Sequence, residues 1–367
     1  MLLGSAVDIV LSSVEERYEL GDMIGVGHFS QVHCARPAGS LGEHSIALKG
    51  IEQSVLNDDE EALAMLVGEC RALRLASECS ALQSRVVRLR EVLGTPSSVY
   101  LVLDRVAGVE LFTLVERHGA LPEPFVAPLM AQLCHALAAL HSIGVVHCDV
   151  KPENLIISHY PASQHPLPGG EEGLVGGRRA DREGREADGE SSLPPQLTLI
   201  DFGYAATLAE GESCEGLAGS PEYAAPEVLT WLSRDRRGEP YGGPADVWSA
   251  AVTAHVLLTA ELPFELPDAE DADEEALAEA ARLTSLSFEQ PEWALAEQAR
   301  AWVAACMAPS QADRPTASEA RALPWLQRHP GDVTESGGGE EGRLKPAPCT
   351  PPPVELNASI PDGCDEA

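Results

Sequence analysis

The sequence has few cationic side chains. It carries 25 Lys and Arg residues against 58 Asp and Glu residues, which gives a formal net charge of −33. Surfaces that bind nucleic acids need clustered Lys and Arg, so we exclude nucleic acid as a partner. The simplest interpretation of the acidic excess is solubility, and the alternative is attraction of basic substrates.

Long apolar runs and paired cysteine motifs are also missing. No apolar run reaches about 18 residues, so we expect no membrane span. The nine cysteines are scattered, without a C-x-x-C pair or a spacing typical of zinc sites, which indicates reduced thiols in the cytosol. The N-terminus lacks the basic segment and the small-residue cleavage site of a signal peptide. We therefore expect a cytoplasmic location, with the nucleus not excluded.

Composition divides the chain into an extension at 1–17, an ordered domain at 18–329 and a tail at 330–367. Within the domain, residues from about 158 to 196 are rich in Gly, Pro and mixed charge and have no apolar period. This composition predicts a disordered insertion. The acidic, Pro-rich tail is predicted to be flexible for the same reason.

Strand-like and helix-like patterns follow one another in a defined order. Strands are predicted over 18–50 and twice more between residues 85 and 106, with a helix over 60–76 between them. From Pro124 the pattern turns helical. This order predicts an α+β fold with a small β-rich N-terminal lobe, a larger helical C-terminal lobe and a cleft between them.

A glycine-rich loop lies between the first two predicted strands. It reads Ile-Gly-Val-Gly-His-Phe-Ser-Gln-Val over residues 24–32. Glycines let the backbone approach phosphates, and Phe29 at the tip could cover them from water. Ser30 stands where the usual pattern has a third glycine. On its own, the pattern is equally consistent with an ordinary β-turn.

A lysine lies inside the apolar strand that follows. Burying the Lys49 ammonium without a partner would be costly, and Glu69 on the predicted helix is its natural partner. The pair would direct Lys49 to the α- and β-phosphates of a nucleotide. The alternative is a surface lysine on an edge strand.

The segment His-Cys-Asp-Val-Lys-Pro-Glu-Asn at 147–154 is the most informative one. A carboxylate, a cation and an amide at this spacing can serve one phosphoryl transfer: Asp149 orients the substrate hydroxyl, Lys151 steadies the γ-phosphate and Asn154 binds Mg²⁺. Asp201 opens an Asp-Phe-Gly sequence after a predicted strand, and its oxygens suit a hard cation such as Mg²⁺.

These motifs, followed by Gly-Ser-Pro-Glu-Tyr-Ala-Ala-Pro-Glu at 219–227, resemble the eukaryotic protein kinase family over about 18–329. Lys-Pro-Glu-Asn resembles the serine/threonine subclass, and the segments GSPEYAAPEVL, ALPWL and VAGVELF resemble the calmodulin-dependent kinase group most. The resemblance implies the bilobal kinase fold with ATP bound in the cleft. It also implies transfer of the γ-phosphate of ATP-Mg²⁺ to Ser or Thr hydroxyls of proteins.

The resemblance implies a site with ATP and Mg²⁺ as cofactors. The catalytic residues would be Asp149, Lys151, Lys49 and Glu69, and the metal ligands would be Asn154 and Asp201. The nucleotide would contact Ile24, Gly25, Gly27, Val32, Ala47, Lys49, Leu103, Asp104, Val106, Glu110 and Ile156. Backbone groups of Asp104 to Val106 would form the hinge that hydrogen-bonds adenine.

Supporting contacts follow from the same resemblance. Asp246 would anchor the catalytic loop, Arg314 would pair with Glu227, and the Ser220 hydroxyl would contact Asp149 and Lys151. A hydrophobic spine linking the lobes would consist of Leu73, Leu89, His147 and Phe202.

Two acidic residues are candidates for binding the substrate. Glu110 and Glu153 match positions that in related kinases read an arginine of the substrate, which predicts a preference for basic residues N-terminal to the target Ser or Thr. The alternative for Glu110 is contact with the ATP ribose.

Cys148 stands where the family has an arginine that meets a phosphate on the activation loop. A thiol offers no bidentate cationic donor, so we predict activity that does not depend on phosphorylation of Thr207 or Ser213. A redox role for Cys148 is the less favoured interpretation, because Asp149 should raise its pKa.

The alternative function is a pseudokinase scaffold that binds nucleotide or partners without phosphorylating them. Such proteins usually lack the lysine, the catalytic aspartate or the aspartate of Asp-Phe-Gly. Here Lys49, Asp149 and Asp201 are all present, which favours the enzyme.

Overall fold

The computed structural model of the chain describes residues 9–159, 194–232, 238–264, 288, 293 and 296–327. Nearly all of the predicted insertion and the whole predicted tail lie outside the described residues.

A six-stranded sheet with three helices makes up the N-terminal part. The strands are β1 (Ile9–Leu11), β2 (Tyr18–Val26), β3 (Gln31–Pro37), β4 (Ile46–Glu52), β5 (Leu89–Gly94) and β6 (Ser98–Asp104). The helices are α1 (Val14–Arg17), α2 (Gln53–Asp58) and α3 (Glu60–Glu78). The strand order in space is β1-β5-β6-β4-β3-β2. All neighbours are antiparallel except β1 and β5.

Helix α3 presents one apolar face to the sheet. It begins at Asp59, whose carboxylate caps the helix by accepting hydrogen bonds from the N–H groups of Glu61 and Ala62. Leu66 and Leu73, on one face of the helix, are fully buried, and Glu69 lies between them at helical spacing. The helix therefore directs the Glu69 carboxylate inward.

Strand β1 belongs to the extension that the sequence analysis left without structure. Ile9 pairs with Val92 and Leu11 with Gly94, parallel to β5. A Cβ on Gly94 would lie 2.8 Å from Cγ2 of Ile9, so only glycine allows this approach. Three residues are too short for a recognisable alternating pattern, which explains why the strand was not predicted.

The C-terminal part is helical with short strands. Its strands are β7 (Val109–Glu110), β8 (Val145–Val146), β9 (Leu155–Ser158), β10 (Gln196–Leu199) and β11 (Ala206–Thr207). Its described helices are α4 (Leu111–His118), α5 (Glu123–Ser142), α6 (Pro226–Leu229), α7 (Gly243–Thr259), α8 (Glu297–Cys306), α9 (Ala317–Ala322) and α10 (Pro324–Gln327). The predicted α+β bilobal fold is therefore confirmed.

Helices α5 and α7 form the centre of the helical part. Every residue of α7 from Ala245 to Thr259 is buried. Among the described residues, α5 has the length and apolar composition to cross a membrane. It packs against α7, α9 and α10, and its apolar residues serve the core of the lobe.

Two short pairings bring the predicted metal-binding segments together. Strands β9 and β10 pair antiparallel, and the N–H of Ile200 donates to the carbonyl of Asn154 at 2.9 Å. The residue before Asp201 thereby lies beside the catalytic loop.

Candidate active site

A cavity of about 520 Å³ lies between the N-terminal sheet and the segments around β7 and β9. All eleven predicted nucleotide-binding residues line it, together with Glu69, Asn154 and Asp201. Thr113 and Arg117 of α4 also line it, and neither was predicted from the sequence. They follow Glu110 by three and seven residues. On a helix this spacing places side chains on the same face as Glu110, so it could have identified both residues. A larger cavity of about 830 Å³ beside the hinge contains none of the predicted catalytic residues.

Lys49 holds two carboxylates at one end of this cavity. Its Nζ lies 2.8 and 2.9 Å from the two carboxylate oxygens of Glu69 and 2.9 Å from Oδ1 of Asp201. Burial lowers the pKa of Lys49, but Glu69 and Asp201 raise it more, and the pKa lies above its ordinary value. Lys49 is therefore a fixed cation, in the partnership with Glu69 that the sequence predicted.

Asp201 keeps an oxygen directed to the cavity. Its backbone is left-handed, with φ at 56°, and its Oδ1 also accepts the N–H of Gly203 at 3.1 Å. Burial raises the pKa of Asp201, but Lys49 lowers it more, and the net pKa is below its ordinary value. The side chain, 45% exposed, is an ionised carboxylate that a cation can reach.

Asp149 is surrounded by three groups. Its Oδ1 accepts the backbone N–H of Ser220 at 2.9 Å. Its Oδ2 accepts Nδ2 of Asn154 at 3.0 Å and lies 3.1 Å from Nζ of Lys151. These contacts join Asp149 to Lys151, Asn154 and Ser220, and Asn154, which lines the cavity, links the group to it.

The contact of Ser220 differs in one detail from its prediction. Its hydroxyl accepts a hydrogen bond from Lys151 Nζ at 2.6 Å, as expected. The group that contacts Asp149 is the backbone N–H and not the hydroxyl. Gly219 has φ at 79°, and a Cβ there would lie 2.1 Å from the carbonyl oxygen of Cys148, so glycine is required for this approach.

Asp246 anchors the catalytic loop from α7, at the position predicted. It is fully buried. It accepts the backbone N–H groups of His147 at 2.9 Å and of Cys148 at 2.8 Å, and it lies 2.8 Å from Nε2 of His141. Burial raises the pKa of Asp246, but His141 and the hydrogen bonds lower it more, so the net shift is downward. Cys148 has φ at 64°, a conformation that these contacts maintain.

The Arg314–Glu227 pair also lies where it was predicted. Nη1 and Nη2 of Arg314 lie 2.7 and 3.1 Å from the two carboxylate oxygens of Glu227. Arg314 also donates to the carbonyls of Pro244 and Ala308, and both side chains of the pair are buried. The pair attaches Glu227, at the end of residues 201–227, which we call the activation segment, to the helical core.

The predicted spine residues occupy the interface between the lobes. Leu73, His147 and Phe202 are fully buried, while Leu89 is half-buried against the same core. The rings of His147 and Phe202 lie 4.8 Å apart at 69°, an edge-to-face contact that is favourable for aromatic rings.

The glycine-rich loop closes on itself above the cavity. The N–H of Gly27 donates to the carbonyl of Ser30 at 2.8 Å. A Cβ on Gly27 would lie 2.6 Å from the Ser30 hydroxyl, so serine in place of the third glycine is accommodated only because Gly27 has no side chain.

Two hinge N–H groups are used within the protein: that of Asp104 donates to the carbonyl of Arg88 at 2.9 Å, and that of Arg105 donates to the carbonyl of Ser45 at 3.0 Å. The Asp104 side chain binds Arg88 at 2.8 Å and also pairs with Arg90. Partial burial raises the pKa of Asp104, but these arginines lower it more, and the carboxylate remains charged. The Asp104 side chain is therefore also committed within the protein, and the N–H of Val106 is the hinge donor that remains for adenine.

Glu110 and Glu153 approach one another at the cavity. Partial burial raises the pKa of Glu110, and the nearby Glu153 carboxylate raises it further. Glu153 Oε2 is buried without a hydrogen-bond partner among the described residues. Two carboxylates in this arrangement favour a cation between them.

Asn154 and Asp201 fit a magnesium ion. Nδ2 of Asn154 is used by Asp149, which leaves its amide oxygen as a ligand. Amide and carboxylate oxygens are what Mg²⁺ takes in proteins. Within the described residues, no group of three or more His, Cys, Asp or Glu side chains could hold a metal. A Mg²⁺ ion here would keep several of its ligands from phosphate and water.

Cys148 has a raised pKa, but the cause differs from the predicted one. The Cys214 thiol raises the pKa most, followed by burial and the charge of Asp246. Asp149, which the sequence analysis named, is not among these causes. Cys214 lies 66 residues further along the chain, so no local pattern could identify it.

Comparison with known proteins agrees with this geometry. The family model described as protein kinase domain matches residues 18–326. The calcium/calmodulin-dependent protein kinase type 1 of Caenorhabditis briggsae is 28% identical over 316 residues, which cover 86% of this chain and 74% of the relative. The predicted similarity to the calmodulin-dependent kinase group is thereby confirmed.

Two plant relatives agree as well. The CBL-interacting serine/threonine-protein kinase 16 of Arabidopsis thaliana is 27% identical over 95% of this chain. The CBL-interacting protein kinase 4 of Oryza sativa subsp. japonica is 30% identical over 93% of it. The match spans 65% of each of these relatives. The chain belongs to the protein kinase family and is a protein serine/threonine kinase.

Proposed function

We propose that the chain transfers the γ-phosphoryl group of ATP-Mg²⁺ to protein Ser or Thr hydroxyls and prefers substrates with a basic residue N-terminal to the target. The observation that carries this proposal is the complete set of contacts around Lys49 and Asp149. Lys49 holds Glu69 and Asp201 within 2.9 Å, and Asp149 is bound to the Ser220 backbone at 2.9 Å. The group that would bind the nucleotide phosphates and the group that would bind the substrate hydroxyl are therefore both held in position.

At the nucleotide end, Lys49 provides a positive charge against the phosphates. Its partner Glu69 is buried in α3 and fixes the position of Nζ, so that the ammonium is pre-organised for the phosphates. The hinge backbone and the apolar lining, with Ala47 and Ile156, would hold the adenine. Bound Mg²⁺, held by Asn154 and Asp201, would neutralise charge on the phosphates.

At the acceptor end, Asp149 handles the hydroxyl of the substrate. Oδ1 accepts only the Ser220 N–H among the described contacts, and a carboxylate oxygen has a second lone pair. That lone pair can accept the hydroxyl proton and orient the oxygen for attack. Lys151, between Asp149 and Ser220, can steady the charge on the phosphoryl group as it transfers.

The basic preference rests on Glu110 and Glu153. The unpartnered Oε2 of Glu153 and the raised pKa of Glu110 both indicate a site that lacks a cation. An arginine of the substrate would satisfy the Glu153 oxygen with a charge-assisted hydrogen bond and relieve the repulsion. The net charge of −33 would also favour the encounter with a basic substrate.

The enzymatic part is tested by Asp149→Asn with labelled ATP and a generic basic protein. The amide keeps an oxygen for the Ser220 N–H but loses the base, so turnover should fall by about 10²–10⁴-fold. Nucleotide affinity should remain within about threefold, since Asp149 does not line the cavity. Asp58→Asn, an exposed residue, is the matched control. Equal turnover in Asp149→Asn and the control would refute the assignment.

The basic preference is tested separately with a peptide library and with Glu153→Gln. The kcat/KM for arginine-containing peptides should fall by about tenfold, which corresponds to about 1.4 kcal/mol, while that for alanine peptides should not change. Glu116→Gln, an exposed residue of α4, is the control. Equal use of acidic and basic flanks by the unmodified enzyme would contradict the preference without affecting the enzymatic assignment.

A further inference from the structure

The tip of the glycine-rich loop, residues 27–30, brings one hydroxyl side chain to the nucleotide cavity. Ser30 occupies the position where the usual pattern has its third glycine. It is 8% exposed and lines the cavity of about 520 Å³. Gly27, at the other end of the tip, also lines the cavity, whereas His28 and Phe29 between them do not. Within the tip, the polar side chain at the cavity is therefore that of Ser30.

The polar groups of Ser30 are used differently. Its carbonyl accepts the N–H of Gly27 at 2.8 Å, which closes the turn. Its hydroxyl makes no hydrogen bond with any other residue that the structure describes. A hydroxyl that is largely removed from water and has no partner in the protein is in an unfavourable state, which a ligand that accepts its proton in a hydrogen bond relieves. The Ser30 hydroxyl is therefore available to a ligand in the cavity.

Packing holds this hydroxyl in place. A Cβ on Gly27 would lie 2.6 Å from Oγ of Ser30, so the hydroxyl packs directly against the backbone of Gly27. Strand β3 begins at the next residue, Gln31, which pairs with Val26 at the end of β2. The hydroxyl thus lies on a short turn between two paired strands. Little conformational freedom remains to be lost when a ligand binds it.

Strand register places Ser30 at the phosphate end of the cavity. Gln31, which follows Ser30, pairs with Gly50, which follows Lys49 on β4. The hinge residue Asp104 pairs with the opposite end of β4. Ser30 therefore lies at the same end of the cavity as Lys49, the cation proposed to bind the phosphates, and away from the hinge.

We propose that the Ser30 hydroxyl donates a hydrogen bond to a phosphate oxygen of the bound nucleotide, alongside the charge of Lys49. The inference rests on the proposed function, in which that nucleotide is ATP. A hydrogen bond from a hydroxyl to an anionic phosphate oxygen is charge-assisted and stronger than one between neutral groups. Glycine at this position would offer the phosphates only its backbone, so the serine adds a side-chain contact to the loop.

Isothermal titration calorimetry of the full-length protein tests the proposal, with ATP in the presence of Mg²⁺ and, separately, with adenosine. Ser30→Ala removes the hydroxyl and should weaken ATP binding by about tenfold or more. Binding of adenosine, which has no phosphates, should not change. Ser80→Ala, at an exposed serine outside the cavity, is the matched control. Equal ATP affinity in Ser30→Ala and the control, or an equal loss of adenosine affinity in Ser30→Ala, would overturn the proposal.

The variant Ser30→Gly separates the hydroxyl from the backbone of the loop. It restores the usual glycine but also lacks the hydroxyl, so it should lose ATP affinity as Ser30→Ala does. Wild-type affinity in Ser30→Gly would mean that loop flexibility sets the binding, and it would overturn the proposal. A wild-type protein that does not bind ATP would refute the proposed function and this inference together. A wild type that binds ATP no better than Ser30→Ala, while both bind it, would refute this inference alone.

Discussion

The Asp246 carboxylate couples the stability of the helical lobe to the position of the catalytic loop. It accepts two buried backbone N–H groups, from His147 and Cys148, and contacts His141. A buried donor that loses its acceptor costs about 1–3 kcal/mol, so Asp246→Ala should lose about 3–9 kcal/mol from these three contacts. Asp246→Asn keeps one acceptor oxygen, so it loses two of the contacts and should lose about 2–6 kcal/mol. A domain is stable by only about 5–15 kcal/mol, so the asparagine variant is the one to purify and measure.

The assay is urea unfolding followed by tryptophan fluorescence, together with kcat. Because Asp149 follows Cys148 directly, displacement of the loop should lower kcat of Asp246→Asn by at least about tenfold. Asp58→Asn, which is exposed, should shift the unfolding free energy by less than about 0.5 kcal/mol. An Asp246→Asn protein as stable and as active as the Asp58→Asn control would refute the reasoning.

The pH dependence of stability provides a second test of the role of Asp246. Burial raises the pKa of Asp246, but His141 and the backbone donors lower it more. A carboxylate whose pKa is lower in the folded state than in the unfolded state stabilises the fold above the unfolded pKa of about 3.9. This stabilisation is lost as the pH falls through the lower folded pKa. The stability difference between wild type and Asp246→Asn should therefore be constant from pH 7 to about 5 and shrink below about pH 4. A difference that disappears already near pH 6 would assign the effect to another group.

Three further outcomes are expected. Lys49→Met should lower kcat by at least about 10²-fold with the fold intact, because the phosphates lose their positioned cation. Thermal melts with and without nucleotide and a kinase assay check this, and normal turnover would contradict it. Deletion of 162–193 should leave melting temperature and basal activity unchanged, because the flanking strands β9 and β10 pair with each other; a deletion variant that fails to fold would mean that the insertion packs on the lobes. The double variant Thr207→Ala/Ser213→Ala, and phosphatase treatment of the bacterially expressed protein, should each change activity by less than about tenfold; a larger loss would show that phosphate gates the loop.

Residue chemistry was sufficient to predict the pair of Lys49 and Glu69. A lysine inside an apolar strand needs a buried anion, and the helix that follows offers one on its inward face. The positions of Asn154 and Asp201 at one cavity, with Asp149 bonded to Asn154, also followed from motif order, because their spacing places them at the ends of short elements that pair.

Contacts between distant segments could not be predicted in the same way. Cys148 and Cys214 lie 66 residues apart, and nothing in their local sequences indicates that one affects the pKa of the other. The Ser220 contact to Asp149 was predicted for the hydroxyl and is made by the backbone N–H, because it depends on the left-handed turn at Gly219. Backbone conformation of this kind is set by packing of the whole segment and not by residue type alone.

Strand β1 has a practical consequence for truncation of the protein. The family match begins at residue 18, so a fragment cut at that boundary would remove Ile9–Leu11 from its pairing with β5. The longer β5 would then become the border of the sheet, with its N–H and C=O groups unpaired, and such a border invites strand addition from another molecule. Fragments that start at residue 18 should therefore self-associate more strongly than the longer protein at the same concentration, a difference that light scattering during purification would show.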